Sequence, residues 1–500
     1  MTRQPSPAAL LQPPPAALLQ SPLCNAPAAP WGHGPRERLT LAAAATLMAL
    51  ALAGCASLAP RTELPAPPVA GAFPGDTGGG DTPASAIEWQ RFFADERLRA
   101  LIGLALENNR DLRIAVLNIE QARAAFDVRR ADRLPTVGAG LSGSRQPKGD
   151  GGINSLYSAG LQVSAYELDL FGRVSSLADA ALAQYLATEE ARKAVQISLV
   201  ASVASIHLAI QGDEELLRVT RQTLATRHES HRLTRLRFDN GVSSMLEVRQ
   251  AETLLESARA TLAQFTRQRA LDENALVLLV GQPLPPTLPP QTALASDVTR
   301  AFGMPDLPAG IPSDVLARRP DVRQAEQLLR AADANIGAAR AAFFPRITLT
   351  GSLGMASSQL SGLFSSGLAW SFAPQLLQPI FDAGRNRANR QVAETNQRNA
   401  LAQYERTVQT AFREVADALA GRETFAEQLR AQQAQVRAEH ERFTFAELGF
   451  RNGVRSSLEL LDAQRSLFTA QQAEVALRAQ HAQNLVTLYR VLGGGWTPEQ

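Results

Sequence analysis

Two kinds of polar and apolar pattern alternate along this chain, and each occurs twice. Residues 173–237 contain no proline, only Gly212 as glycine, and a dense mixture of Ala, Leu, Arg, Glu and Gln. That composition predicts one uninterrupted helix, a rod about 97 Å long at 1.5 Å per residue. Residues 385–450 repeat it. Each rod is predicted to turn at an Asn-Gly pair, Asn240-Gly241 or Asn452-Gly453, where glycine suits a helix C-terminus. Return arms follow over 242–280 and 455–492, and the second spaces Leu461, Phe468, Val475, Ala482 and Tyr489 by sevens, as lengthwise helix packing requires. Shorter helices over 108–134 and 316–344 are predicted to end at Pro135 and Pro345. The segments that follow, 136–170 and 346–381, lose charge, gain Gly, Ser and Thr, and alternate with period two. Each fits two strands and a turn, the first turn at Pro147–Gly152 and the second around Ser357-Ser358. Weak alternation in runs of about ten residues is the signature of a transmembrane barrel strand.

The order of elements is written twice. Asp111-Leu112-Arg113 and Pro135 recur as Asp321-Val322-Arg323 and Pro345, an offset of 210. Beyond Phe171 and Phe381 the second copy carries two extra residues, so Gly172-Arg173 answers to Gly384-Arg385. The offset of 212 then holds: Phe238-Asp239-Asn240-Gly241-Val242 against Phe450-Arg451-Asn452-Gly453-Val454, Leu246-Glu247 against Leu458-Glu459, and Gly281 against Gly493. A constant offset over so long a stretch marks a tandem structural duplication. The domains read as an N-terminal extension with signal peptide, 1–54; a tethering linker, 55–90; repeat 1, 91–300; and repeat 2, 301–496.

The N-terminus changes the picture of where the chain works. Arg36 and Arg38 precede an apolar stretch, Leu39 to Ala53, that closes in Leu52-Ala53-Gly54-Cys55. A basic region, a short apolar region and small residues form a secretory signal. The ending resembles a bacterial lipobox, which implies cleavage before Cys55 and acylation of its thiol. Ala56, in place of Asp, favours the outer membrane by the lipoprotein sorting rule. The signal starts late, which suggests that the true start codon lies downstream of Met1. Cys24 and Cys55 are the only cysteines, so no disulfide or cysteine metal site is expected beyond them. No run of 18 consecutive apolar residues follows Cys55, so a membrane crossing is expected as a β-barrel. With 50 basic against 48 acidic residues, a net charge of +2, the chain is too balanced for an electrostatic nucleic-acid binder.

The chain resembles the TolC family of outer membrane efflux channels, in its OprM/NodT-like lipoprotein branch. The resemblance is carried by Tyr166-Glu167-Leu168-Asp169-Leu170-Phe171-Gly172-Arg173, by Ala317-Arg318-Arg319-Pro320-Asp321-Val322-Arg323, and by Ala341-Ala342-Phe343-Phe344-Pro345. The run Gly453-Val454-Arg455-Ser456-Ser457-Leu458-Glu459-Leu460-Leu461-Asp462 and its counterpart at 241–250 complete it, and the match spans about 88–496. The resemblance implies a mixed α+β membrane protein: a homotrimer in which four strands per protomer close one 12-stranded barrel, continued by a helical periplasmic tunnel. It implies outer membrane lipid, a periplasmic adaptor and an inner membrane pump, of the RND class, as partners. The implied activity is passive export of drugs or other small molecules. The family's acidic constriction falls at Glu459 and Asp462, and its aromatic latch at Phe450, which lacks the hydroxyl of the tyrosine in some relatives. Arg455, Glu459 and Asp462 share one helix face, and Arg455 is expected to hold the closed state by pairing with a neighbouring carboxylate. In repeat 1 only Glu247 matches, since Gln250 stands where Asp462 would. Gly241 and Gly453 are the expected hairpin-tip turns.

Other motifs only look like chemistry. Gly138-Ala139-Gly140-Leu141-Ser142-Gly143 fits a dinucleotide fingerprint on paper, but follows a helix-ending proline and lies in a strand-like run. His228-Glu229-Ser230-His231 lacks the zincin spacing and reads as a solvated helix face. No enzyme activity, cofactor or metal is expected. A periplasmic coiled-coil adaptor would need a lipoyl-like domain between its arms, and a lipid-anchored hydrolase would need a catalytic constellation. Neither explains duplicated hairpins.

Overall fold

A computed structural model describes residues 58–60, 64, 68–71, 73, 87–149, 151–295, 313–365 and 367–496. Cys55 and the signal segment lie outside the described residues. After a helical turn at Trp89–Phe92 come helices α1 (Glu96–Asn108) and α2 (Arg110–Ala131), then strands β1 (Val137–Pro147) and β2 (Ile153–Leu168). Helices α3 (Arg173–Asp239) and α4 (Met245–Val280) complete the first repeat. The second runs α5 (Pro320–Ala341), β3 (Arg346–Ser357), β4 (Leu368–Leu377), α6 (Arg385–Arg451) and α7 (Ser457–Val491). The two long rods are each 67 residues, two longer than expected for the first.

The helix expected over 108–134 is α2, over 110–131, and Asn109 before it has an extended backbone (φ −62°, ψ 132°) that ends α1 and a side chain that accepts from the Leu112 amide at 2.9 Å to cap α2. The α1 helix itself, with Leu98, Leu101, Ile102 and Ala105 buried, is an addition to the expected elements. The second predicted turn also contains more structure than expected, a 3-10 segment at Leu360–Ser365.

The four strands form one antiparallel sheet in the order β1-β2-β3-β4, so the central ladder joins the two repeats. Successive residues in a strand face opposite sides. The register places Leu141, Ala159, Leu161, Leu353, Met355, Leu368 and Trp370 on one side, and Ser142, Ser158, Gln162, Ser352 and Ser371 on the other. Serine pairs cross the polar side at 2.7 Å, Ser142 to Ser158 and Ser352 to Ser371. One apolar and one polar face is the arrangement of a barrel wall between lipid and water. Gly160 and Gly354 lie back to back in the central ladder: a Cβ on Gly160 would sit 2.4 Å from the Leu353 carbonyl oxygen, and one on Gly354 2.1 Å from that of Ala159.

The apolar core lies where the helices of both repeats meet. Phe92 stacks on Tyr489 with centroids 3.8 Å apart, and Tyr489 donates its hydroxyl to the Ile87 carbonyl at 2.6 Å. The heptad positions Leu461, Phe468, Val475, Ala482 and Tyr489 are all buried, as their spacing requires. The α3 helix is long and apolar enough to cross a membrane by length and composition, but 61% of its apolar window is buried within the fold. The short helices differ between repeats. Ten residues of α5 are buried but only Leu112 of α2, which leaves Ile114, Leu117 and Val128 exposed.

Candidate functional site

Two sequence motifs build the corners that aim the rods. At the end of β2, the Arg173 guanidinium donates twice to Glu167, both at 2.7 Å, and Arg346 stands 3.2 Å from the same carboxylate. Asp169 accepts from the Val174 and Ser175 amides at 2.9 and 2.7 Å, capping α3. Phe171 stacks on Phe344 from the end of α5, centroids 4.7 Å apart. In the second motif Pro320 starts α5, and the buried Arg319 before it reaches Asp321 (2.7 Å), Glu414 on α6 (2.8 Å) and the Val491 carbonyl on α7 (3.0 Å). These residues are structural joints between strands and helices.

The candidate gate lies at the other end of the rods, around the hairpin tips. Both turns are Schellman motifs. Gly241 has φ 76° and Gly453 has φ 73°, conformations that suit glycine. Their amides donate to Phe238 and Phe450, while the Val242 and Val454 amides reach back to Arg237 and Gly449. Exposed apolar side chains cluster at these ends: Val242, Leu246, Phe445, Leu448, Val454 and Leu458.

The five expected gate residues fall into four separate contacts. Arg455 does not share the helix face expected for it, because α7 starts only at Ser457; it stands in the turn before the Ser456 cap and donates from there to Glu459 in the helix's first turn, at 2.9 Å. Both side chains are about half exposed, at 58% and 49%, and such a pair contributes only about 0.3–0.5 kcal/mol. Asp462 is bound instead by Arg442 on α6 and by Arg465 one turn on. The hydrogen bond from Arg442 is the chief cause that holds the Asp462 carboxyl below its ordinary range. Glu247 closes a capping box with Ser244 at the start of α4. It also accepts from Ser243 and, at 2.7 Å, from Ser457 of the other tip. Those two hydroxyls, Ser243 first, lower its pKa. Phe450 lies under Arg237, whose guanidinium carbon is 4.7 Å from the ring centroid, so the latch position is a cation–π contact between repeats.

Sequence reasoning missed Arg442, Arg237 and Ser457, each of which holds an expected gate residue. Arg442 lies twenty positions before Asp462, and only the antiparallel register of α6 and α7 brings them together. The motifs set aside as non-catalytic fall as read. Gly138–Gly143 lies inside β1, with no helix opening after it. In the histidine pair's segment Glu229 is engaged by Arg232 at 2.7 Å.

Comparison with known proteins agrees with this geometry. The profile of the family described as "Outer membrane efflux protein" matches residues 101–282 and 311–494, one segment per repeat. The chain is 46% identical over 461 residues to the toluene efflux pump outer membrane protein TtgC of Pseudomonas putida, covering 90% of this chain and 94% of that one. It is 45% identical over 466 residues to the outer membrane protein OprJ of Pseudomonas aeruginosa, with coverage of 90% and 95%. Among solved structures, the open state of the Neisseria gonorrhoeae MtrE outer membrane channel aligns with a TM-score of 0.80 at 41% identity, over 88% of this chain and 98% of that one. A sheet with one apolar and one polar face, two duplicated helical hairpins and these relatives lead to one conclusion. The chain belongs to the outer membrane efflux protein family, as one protomer of a trimeric and non-enzymatic channel.

Proposed function

We propose that this channel is the exit duct of a tripartite pump for drugs or solvent-like small molecules, with a periplasmic mouth set by the charged pairs of the repeat 2 tip. Relatives named for toluene, solvent and antibiotic efflux support that substrate class. In the trimer the unpaired edges of β1 and β4 find partners in one barrel, and the exposed apolar positions of α2 are available to a neighbouring protomer. The exposed apolar tips suit docking of a periplasmic adaptor, and energy for transport comes from an inner membrane pump of the RND class.

The observation that carries the gate reading is the contact of Arg442 on the outgoing arm with Asp462 on the return arm, one helical turn from Glu459, which Arg455 holds. Three protomers bring three such sets to the narrow end, where a ring of carboxylates attracts cations. Planar bilayer recording tests it. Joint replacement of Glu459 and Asp462 by Ala should raise single-channel conductance and weaken block by multivalent cations. Conductance and block equal to wild type would mean these residues are only solvated helix charges.

The anchor is a separate reading, supported by the Leu52-Ala53-Gly54-Cys55 ending. Acylation at Cys55 would fix the chain to the inner leaflet of the outer membrane. Incorporation of labelled fatty acid should vanish in Cys55→Ser; labelling that persists removes the assignment.

A further inference from the structure

Three arginines are buried among the described residues: Arg227, Arg319 and Arg478. Two have carboxylates to offset their charge. Arg319 pairs with Asp321 and Glu414, and Arg478 with Glu215 and Glu474 at 3.6 and 3.7 Å. Arg227 is the most deeply buried, 3% exposed, and among the described residues it has no carboxylate within ion-pair distance. Its Nη1 donates to the Leu254 carbonyl of α4 at 2.9 Å, its guanidinium carbon lies 4.9 Å from the Phe468 ring centroid, and its Nε meets no acceptor. An isolated buried cation is costly and calls for a counter-charge. Burial alone pushes this guanidinium below its ordinary pKa, with no acidic neighbour to oppose it.

The guanidinium borders a cavity of about 90 Å³ between α3, α6 and α7. The space has room for a small hydrated ion and falls short of the several hundred Å³ that drug-sized ligands need. Its other walls fit that content. Thr223 contributes a hydroxyl that donates to no helix carbonyl, whereas Thr220, Thr226 and Thr234 each donate to one. His440 stands at the exposed rim. Gln464 spends its amide nitrogen on Ser230 at 2.7 Å and leaves its buried carbonyl oxygen without a donor. An anion against Arg227 with a water against Gln464 satisfies both orphaned groups. The duplication does not explain the arginine, since the matching position in repeat 2 is Glu439, which pairs with Arg442.

We propose that this cavity is a resident site for a small monovalent anion of halide or formate size, held by Arg227. The site is separate from the gate residues. It ties α3 and α4 of the first hairpin to α6 and α7 of the second, so occupancy stiffens the tunnel wall above the tips.

The test uses the full-length trimer. Crystals soaked in sodium bromide should show an anomalous peak within hydrogen-bonding reach of Arg227 in every protomer. In detergent at constant ionic strength, replacing gluconate by bromide should raise the unfolding midpoint with saturation, as site binding requires. Arg227→Met should lose both the peak and the saturable rise. Should that variant fail to assemble, Thr223→Val keeps the cation and should move half-saturation severalfold higher. A wild-type crystal with water alone against Arg227, or a bromide response unchanged in both variants, overturns the proposal.

Discussion

The two hairpin tips have the same backbone and opposite side-chain wiring. Each rod ends in a Schellman turn, and each return arm opens on a serine cap, Ser244 or Ser456, with a glutamate three residues on. In repeat 1 Glu247 folds back to its own cap and closes the box. In repeat 2 the Ser456 hydroxyl still accepts from the Glu459 amide at 3.3 Å, but the Glu459 side chain has left for Arg455. Two substitutions between the repeats account for this. Ser243, which donates to Glu247, becomes Arg455, which draws Glu459 outward. Arg237, which covers Phe450, becomes Gly449, where an added Cβ would lie 2.3 Å from the Arg455 side chain. One copy of an identical capping code is spent on holding the tips together. The other leaves its carboxylate near solvent in a weak pair that can be exchanged.

The contrast can be broken most severely from the fixed side. Glu247→Ala removes the capping box and the bond from Ser457 together, at a local cost of about 1–2 kcal/mol. Amide exchange at 244–248 should quicken about tenfold, with a parallel increase near Ser457; an effect confined to repeat 1 would mean that the cross-tip bond carries no load. A gentler change sharpens the comparison. Arg455→Ser gives repeat 2 the wiring of repeat 1, so Glu459 should return to its cap and slow exchange at 457–460 by a few fold, about 0.5 kcal/mol. Unaltered exchange would show that Arg455 is not what keeps Glu459 out.

The smallest expected difference lies farther up the rods. Asp213 on α3 is pushed up to about 7, by burial first and then by its neighbour Asp272 on α4, against the opposing charge of Arg269. Repeat 2 has Phe425 and Asn484 at the matching positions, so only the first hairpin carries this pair. A raised carboxyl stabilises the fold in its protonated form, fully below the ordinary carboxylate range, and that contribution is lost as pH rises through about 7. Exchange around 209–217 should therefore rise modestly as pH passes through that value, and Asp213→Asn should flatten it. The same response around 421–429 would contradict the asymmetry.

The large elements were legible because their determinants are local. Absence of proline over 173–237, an Asn-Gly at each tip and a sevenfold spacing on the return arm each act within a few residues. The start of α2 was legible to within two residues at Asn109, whereas the 13-residue α1 helix ahead of it was not read from the sequence. The wiring was not legible. Glu459 and Asp462 stand out as charges on one face, yet their partners depend on how α6 passes α7 and how one tip abuts the other. The same holds for His207, buried and 3.2 Å from Asp95 across 112 positions, and for Arg227, whose isolation depends on four helices. Periodicity records which side of a helix is covered; it does not record what stands opposite.

The glycine-lined seam between β2 and β3 constrains how the protein is made. Hairpins β1–β2 and β3–β4 close over short turns, but the seam joins residues such as Ala165 and Thr350, 185 positions apart. Contacts that distant form late, because a long loop must close before any pairing energy is gained. The wall cannot be laid down one repeat at a time as the chain emerges. Both rods must be synthesised and delivered before the strands have their neighbours, and the outer edges wait longer still, for two further chains. Until then the apolar face of each sheet faces water, so the periplasmic lifetime of the free chain is set by escort and encounter.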